Sequence, residues 1–353
     1  MLLATATVAR AFDFSQATAG GQTLYYTVAS GSNVTVVAPA DNWEGYSAPA
    51  GRLAVPATVT HNGVTYNVTA VASNAFRGCE ELTAVELPGS VTTVGLTAFY
   101  NCTALTSVRL NEGVYELGRM AFAFCSQLDT IELPSTLRKI GISAFHGTAY
   151  VNNQSNWSDS VLYIGPYVIM ASSMVVGPVE VAECTLGIGT GYFTYCNNMR
   201  KINLPASLLF VGNLALSDCE SLDTLRVRAT VPPTLSDDAF NGSPLPTTIV
   251  PCGTLAAYSA APYWSLLDLV EDTCTQGIAS VEPNNAVTVV TVDGGIEVLG
   301  AEGSPLTVYD ISGRQVSHVP SATAAQRIAL PARGIYVVMI AGTTPYKAVS
   351  GVK

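Results

Sequence analysis

Apolar residues return along this chain with a fixed long period. Phe76, Phe99, Phe122 and Phe145 stand 23 residues apart. Cys79, Cys102 and Cys125 fall three residues after their phenylalanines, and Leu82, Leu105 and Leu128 three later again. Val85, Val108 and Ile131 follow, then Leu87, Leu110 and Leu133. Val94, Leu117 and Ile140 each precede a glycine, Gly95, Gly118 and Gly141. Within one unit, Leu82-Thr-Ala-Val85-Glu-Leu87 alternates inward and outward positions, which predicts a short strand. Pro88 lacks a donor for the ladder and ends it.

One such unit cannot bury its own apolar face, so units must stack with equivalent residues above one another. The prediction is a β-rich solenoid over residues 71–250. Phe145 to Phe193 is 48 residues, about two periods, so the register survives a long variant repeat at 146–191. From Phe193 the columns resume through Cys196, Met199, Ile202 and Leu204. They fray through Leu216, Cys219 and Leu222 to Ala239-Phe240.

The flanks have a different texture. Residues 12–70 read as β-hairpins that cap the first rung, with Asn62-Gly63 between the alternating runs Val59–His61 and Val64–Tyr66. Residues 251–277 read as a C-terminal cap with a short alanine-rich helix. From 278 to 353, strand-like runs at Leu306–Tyr309 and Ile335–Ile340, separated by turn residues, predict a small β-sandwich. Residues 1–11 end in Ala9-Arg10-Ala11, a small-x-small pattern, and read as a signal-peptide remnant with Phe12 as the mature start.

The columns of Ala-Phe-x-x-Cys-x-x-Leu-x-x-Val-x-Leu-Pro, as in Ala75 to Pro88, resemble the BspA-type leucine-rich-repeat family. That resemblance implies a bacterial cell-surface or secreted protein, and some members are adhesins. The C-terminal run Leu306-Thr-Val-Tyr-Asp310-Ile-Ser-Gly313-Arg314, with Gly334-Ile-Tyr336 and a terminal Lys353, resembles the sorting domain of type IX secretion. It implies contact with export machinery through residues 278–353.

Composition narrows the partners. Charged residues make up only 12% of the 353, and the net charge is −10, so nucleic acid and anionic membranes are not expected partners. Five of the eight cysteines, Cys79, Cys102, Cys125, Cys196 and Cys219, occupy one core column and are expected to be reduced. Thr148 stands in that column once, which points to size rather than bonding. Cys252 and Cys274 flank the predicted helical segment and are the candidate disulfide, while Cys184 has no evident partner.

A search for chemistry finds little. His61, His146 and His318 lie in separate segments without ligand or triad spacing. No phosphate loop, nucleophile elbow or zinc motif occurs, and no enzyme, metal or cofactor is expected. The strand positions facing outward carry the functional question. Glu86, Arg109, Glu132, Asn203 and Arg226 share a column, which reads as a cross-strand charge ladder or as a binding surface. Trp157, Tyr163 and Tyr167 cluster in the variant repeat. They read either as an irregular double turn over the core or as an exposed binding protrusion. The functional expectation is a non-enzymatic extracellular binding or adhesion protein facing a protein or glycan. The alternative is a structural envelope spacer without a specific ligand.

Overall fold

The computed structural model describes residues 12–273, 288–292, 295–310, 315–331, 334–340 and 346–350. The signal-peptide reading at 1–11, Cys274 and the turn at 311–314 lie outside these residues. The chain divides into two compact units, Met1–Thr273 and Cys274–Lys353.

The first unit is a parallel β-solenoid. Its longer strands form two ladders. One runs through Gly51–Ala54, Leu82–Leu87, Ser107–Leu110 and Thr130–Glu132. The other runs through Gly177–Glu180, Met199–Leu204, Thr224–Val227, Thr247–Val250 and Asp268–Glu271. Val85 faces Val108, which faces Ile131, so the 23-residue period is the pairing register. The opposite side carries two-residue strands such as Thr93–Val94, Glu116–Leu117 and Lys139–Ile140.

The stacked columns are the core. Phe76, Phe99 and Phe122 lie ring over ring at 4.9 and 5.0 Å, and Phe145 follows at 5.6 Å, all within 12° of parallel. The five column cysteines are fully buried and free. Their sulfurs do more than fill space. The thiols of Cys102 and Cys125 donate to the carbonyls of Phe76 and Phe99 in the preceding rung, at 3.1 and 3.0 Å. Thr148 keeps a donor in the column, since its hydroxyl bonds the Phe145 carbonyl at 2.9 Å.

The turn before each phenylalanine needs a left-handed residue, at Asn74, Thr97, Met120 and Ser143. The glycine column has another cause. Gly95, Gly118 and Gly141 are not left-handed. A Cβ on Gly118 would lie 2.5 Å from the Gly95 carbonyl carbon, and one on Gly141 2.4 Å from the Arg119 nitrogen. These glycines are set by backbone packed on backbone between rungs, not by a need for positive φ.

Both flanks extend the solenoid as well as capping it. Phe14–Ala17, Thr23–Ser30 and Asn33–Val37 pair antiparallel, and Thr58–His61 and Val64–Val71 form the Asn-Gly hairpin, with Asn62 and Gly63 at positive φ. Within the same segment, Gly51–Ala54 already pairs parallel with Leu82–Leu87 as the first rung. At the other end, Asp268–Glu271 adds a last parallel strand beyond the predicted helix, Leu255–Ala260. Tyr258 and Trp264 close that end, their polar tips bonding the carbonyls of Ala229 and Pro233 at 2.7 Å each.

The second unit holds two antiparallel sheets of three and four strands among the described residues. Among the described residues, Ile296, Val298, Leu306, Val308, Tyr336 and Val338 belong to one apolar cluster.

Candidate binding surface

The variant repeat interrupts both faces of the solenoid. The first longer-strand ladder stops at Thr130–Glu132 and the second starts at Gly177–Glu180. On the other side the short strands stop at Lys139–Ile140. A hairpin of Val161–Ile164 and Tyr167–Ala171 then restarts the sheet, Tyr167–Ala171 pairing parallel with Gly187–Ile188.

The three aromatics of this repeat do not form the exposed protrusion entertained above. Tyr167 is completely buried, and its hydroxyl donates to the Pro134 carbonyl at 2.7 Å, so no partner reaches it. Burial pushes that phenol up to about 12. Trp157 is half-buried, and its indole N–H donates to the Val151 carbonyl at 3.1 Å. Tyr163 is half-buried too, and its hydroxyl accepts from the Ala182 N–H at 3.1 Å. The aromatics fasten a double turn onto the core, because each ring has apolar neighbours and each polar tip has a backbone partner.

The outward column of the longer strands is a set of cross-strand pairs. Arg109 binds Glu132 at 2.8 Å, and Glu86 takes Arg52, at 2.9 Å, rather than Arg109. Glu132 raises the Arg109 guanidinium further above its ordinary range. Arg226 pairs with Asp272, and Arg228 reaches Glu180 at 3.0 Å and also Glu183. The Asn203 amide donates to Glu180, while its buried Oδ1 has no partner among the described residues. The predicted contact residues Arg109, Asn203 and Arg226 therefore bind residues of other rungs of this face.

The open feature lies elsewhere, beside the interruption on the short-strand side. A groove of about 560 Å³ runs across the rungs there, with Gly118, Gly141 and Gly212 in its lining. The lining carries three cations, Arg119, Arg138 and Lys139, against one carboxylate, Glu116. Lys139 sits 3.6 Å from Glu116, and Arg138 is held by the carbonyls of Ser135 and Leu137 at 2.8 and 2.9 Å. Arg119 is exposed, and it is the only arginine among the described residues whose side chain has no ion pair, hydrogen bond or ring contact. Sequence reasoning missed this groove because its residues come from rungs on both sides of the long repeat. The only local signal was the glycine column.

Cys252 is disulfide-bonded; Cys274, its expected partner, lies outside the described residues. Cys184 is free and exposed. His61 stacks on Phe14, His146 packs edge-on against Phe124, and His318 contacts Thr307, three separate places. Among the described residues no group of three His, Cys, Asp or Glu side chains could hold a metal, and no helix is long and apolar enough to cross a membrane.

A parallel solenoid of short rungs, with stacked phenylalanine, cysteine and glycine columns, defines a leucine-rich-repeat protein. The chain belongs to the BspA-type leucine-rich-repeat family, whose model matches in six copies over residues 58–175 and 179–261. Residues 276–350 match a domain of unknown function. Similar solved structures include a leucine-rich-repeat protein from Bacteroides ovatus, 19% identical, covering 70% of this chain and 74% of that one, with a TM-score of 0.34. A leucine-rich cell-surface protein from Faecalibacterium prausnitzii is 18% identical over 75% of this chain and 96% of its own, TM-score 0.28. The pneumococcal vaccine antigen PcpA is 13% identical over 74% and 99%, TM-score 0.27. No curated protein matches this chain.

Proposed function

We propose that this chain is a non-enzymatic binding protein of the bacterial surface or exterior, with the solenoid as its ligand-presenting part. One observation carries the reading: a groove beside the variant repeat is lined by three cations and one carboxylate in a chain of net charge −10. The charges of the outward column are already matched to their neighbours, whereas Arg119 beside this groove has no ion pair, hydrogen bond or ring contact among the described residues and is free for a partner. Family membership supports the extracellular placement, since the BspA type is associated with surface and secreted proteins.

Residues 278–353 are the export element in this reading. Their support is the resemblance of the Leu306–Asp310 and Gly334–Tyr336 segments to type IX sorting domains, and their position in a separate compact unit. Deleting residues 278–353 in the native bacterium, with fractionation of the culture, tests it. Retention of the truncated chain inside the cell is the expected result, and normal export of it refutes the assignment.

A second reading, a structural spacer, is favoured by the self-paired column of Arg109 with Glu132 and Arg226 with Asp272. Such ladders need no ligand. Screening residues 12–277 against extracellular matrix proteins and a glycan array separates the two. Absence of any ligand, together with self-association of the chain, sinks the binding reading.

A further inference from the structure

We infer that the groove at the break binds an oligosaccharide bearing anionic groups, with Arg119 as its principal anion contact. This rests on the proposed binding function and names its site and ligand class. The groove exists for a structural reason. Gly118, Gly141 and Gly212 carry no side chains, and on Gly118 and Gly141 a Cβ would run into the rung before it. The same close stacking that forbids side chains there leaves backbone at the bottom of an open trough.

Its chemistry favours a sugar over a protein. The apolar residues along it, Leu117, Ile140, Phe210 and Val211, are each no more than 3% exposed, so no apolar pocket faces outward. A protein partner needs buried anchors in such pockets. Hydroxyl and amide side chains also line the groove: Thr190, Asn213, Thr234 and Ser236. Tyr115, 48% exposed, adds one aromatic face, the usual platform for the C–H surface of a pyranose. Asn213 is already positioned by Asp238 and by the Ser236 hydroxyl, at 3.3 and 2.7 Å.

The charge argues for an anion. Three cations face one carboxylate, and Arg119 has nothing to bind within the described chain, while its planar fork suits a carboxylate or sulfate. The 560 Å³ volume is in the range of small-ligand sites, and the lining is drawn from several stacked rungs, from Tyr115 to Ser236, which suits a short oligomer.

Calorimetric titration of the full chain at low salt tests this with four probes: hexagalacturonate, a heparin-derived hexasaccharide, neutral cellohexaose and hexaglutamate. Binding of either anionic sugar, weakened about tenfold or more by Arg119→Ala with an unchanged melting temperature, is the expected result. Binding of hexagalacturonate shows that carboxylates suffice, and binding of the heparin fragment alone, which carries both groups, assigns the contact to sulfate. Cellohexaose binding as tightly as the acidic sugars overturns the role of charge. Hexaglutamate binding as tightly as either sugar overturns the ligand class. Sugar binding that Arg119→Ala leaves intact removes the site from this groove while leaving the binding function standing. If no probe binds but the chain captures another glycan or a protein, the inference fails and the broader function survives.

Discussion

Trp43 lies over Phe76 with ring centroids 6.1 Å apart and planes 22° from parallel, and its indole N–H donates to the Ala75 carbonyl at 3.1 Å. It is the end plate of the phenylalanine column. Every interior ring has a neighbour on both sides, and Phe76 would have one only from Phe99 without it. Trp43→Ala is expected to cost about 3–5 kcal/mol, as for a buried large aromatic. Trp43→Phe, which keeps a ring but leaves the Ala75 carbonyl without that donor, should cost about 1–2 kcal/mol. Urea denaturation measures the difference. Hydrogen exchange should show protection lost first in the rung of Leu82–Leu87, because solenoid rungs lean only on their neighbours.

Thiol chemistry should divide the cysteines sharply. The Cys79 thiol is pushed up to about 12 by burial. Cys102 is raised by the neighbouring Cys125 thiol and by burial, and Cys196 by the neighbouring Cys219 thiol and by burial. All five column cysteines are sealed from reagent as well. Native protein at pH 8 should therefore label with iodoacetamide at Cys184 alone, and at the column cysteines only after unfolding. Rapid native labelling of Cys102 or Cys125 contradicts the packing described here. Non-reducing peptide mapping should recover Cys252 joined to Cys274.

Gly118→Ala should be strongly destabilising, by about 2–3 kcal/mol, although the glycine has an ordinary backbone conformation. Its new Cβ would meet the Gly95 backbone at 2.5 Å, and two rungs cannot separate without breaking the ladder between them. Gly78→Ala is the contrast. Gly78 is left-handed at φ 71° with nothing near its Cβ, so it should lose only the left-handed penalty, about 1 kcal/mol. Thermal melts of the two variants side by side give the ranking.

Glu112 gives a pH signature. Its carboxylate accepts from the Ser135 N–H at 2.9 Å, from the Ser135 hydroxyl and from the Thr136 N–H. The Ser135 N–H chiefly holds the carboxyl below its usual range, against some desolvation. A carboxyl lowered in the folded state adds stability above its unfolded pKa and loses it as pH falls through the folded value. Glu112→Gln should therefore be the less stable protein at pH 7, by at most about 1 kcal/mol because the group is solvent-exposed. The gap should close as pH drops below about 4. A gap that stays constant down to pH 3 contradicts the account.

The outward ladder predicts small effects. Arg109→Ala removes an exposed pair with Glu132, so its effect on stability should be small and smaller still at high salt. Chemical denaturation at two ionic strengths measures it. Binding of an anionic sugar should be unaffected by Arg109→Ala, which makes it the control for Arg119→Ala.

Much of the solenoid was legible because stacking writes one residue type into each period. Phe76, Cys79, Leu82, Val85 and Leu87 have no freedom once Phe99 to Leu110 are fixed above them, and the register read from spacing is the register of the strands. The role of Trp43 was not legible, since an end plate occurs once and has no repeat to betray it. Nor was the burial of Tyr167. A cluster of aromatics has the same composition whether it projects outward or covers a core, and only the Pro134 carbonyl across the fold decides which.

The sequence alone determined the class of the fold, the period, the cysteine column and the lack of spaced catalytic motifs. All of these follow from positions repeated in one dimension. Tertiary structure decided what each repeat position does toward its neighbours. It set the glycine column by contact between rungs, consumed Arg109 and Arg226 in pairs, and left Arg119 unmatched beside a trough. Those outcomes depend on distances between residues far apart in the chain, across the variant repeat at 146–191 whose path no local pattern encodes.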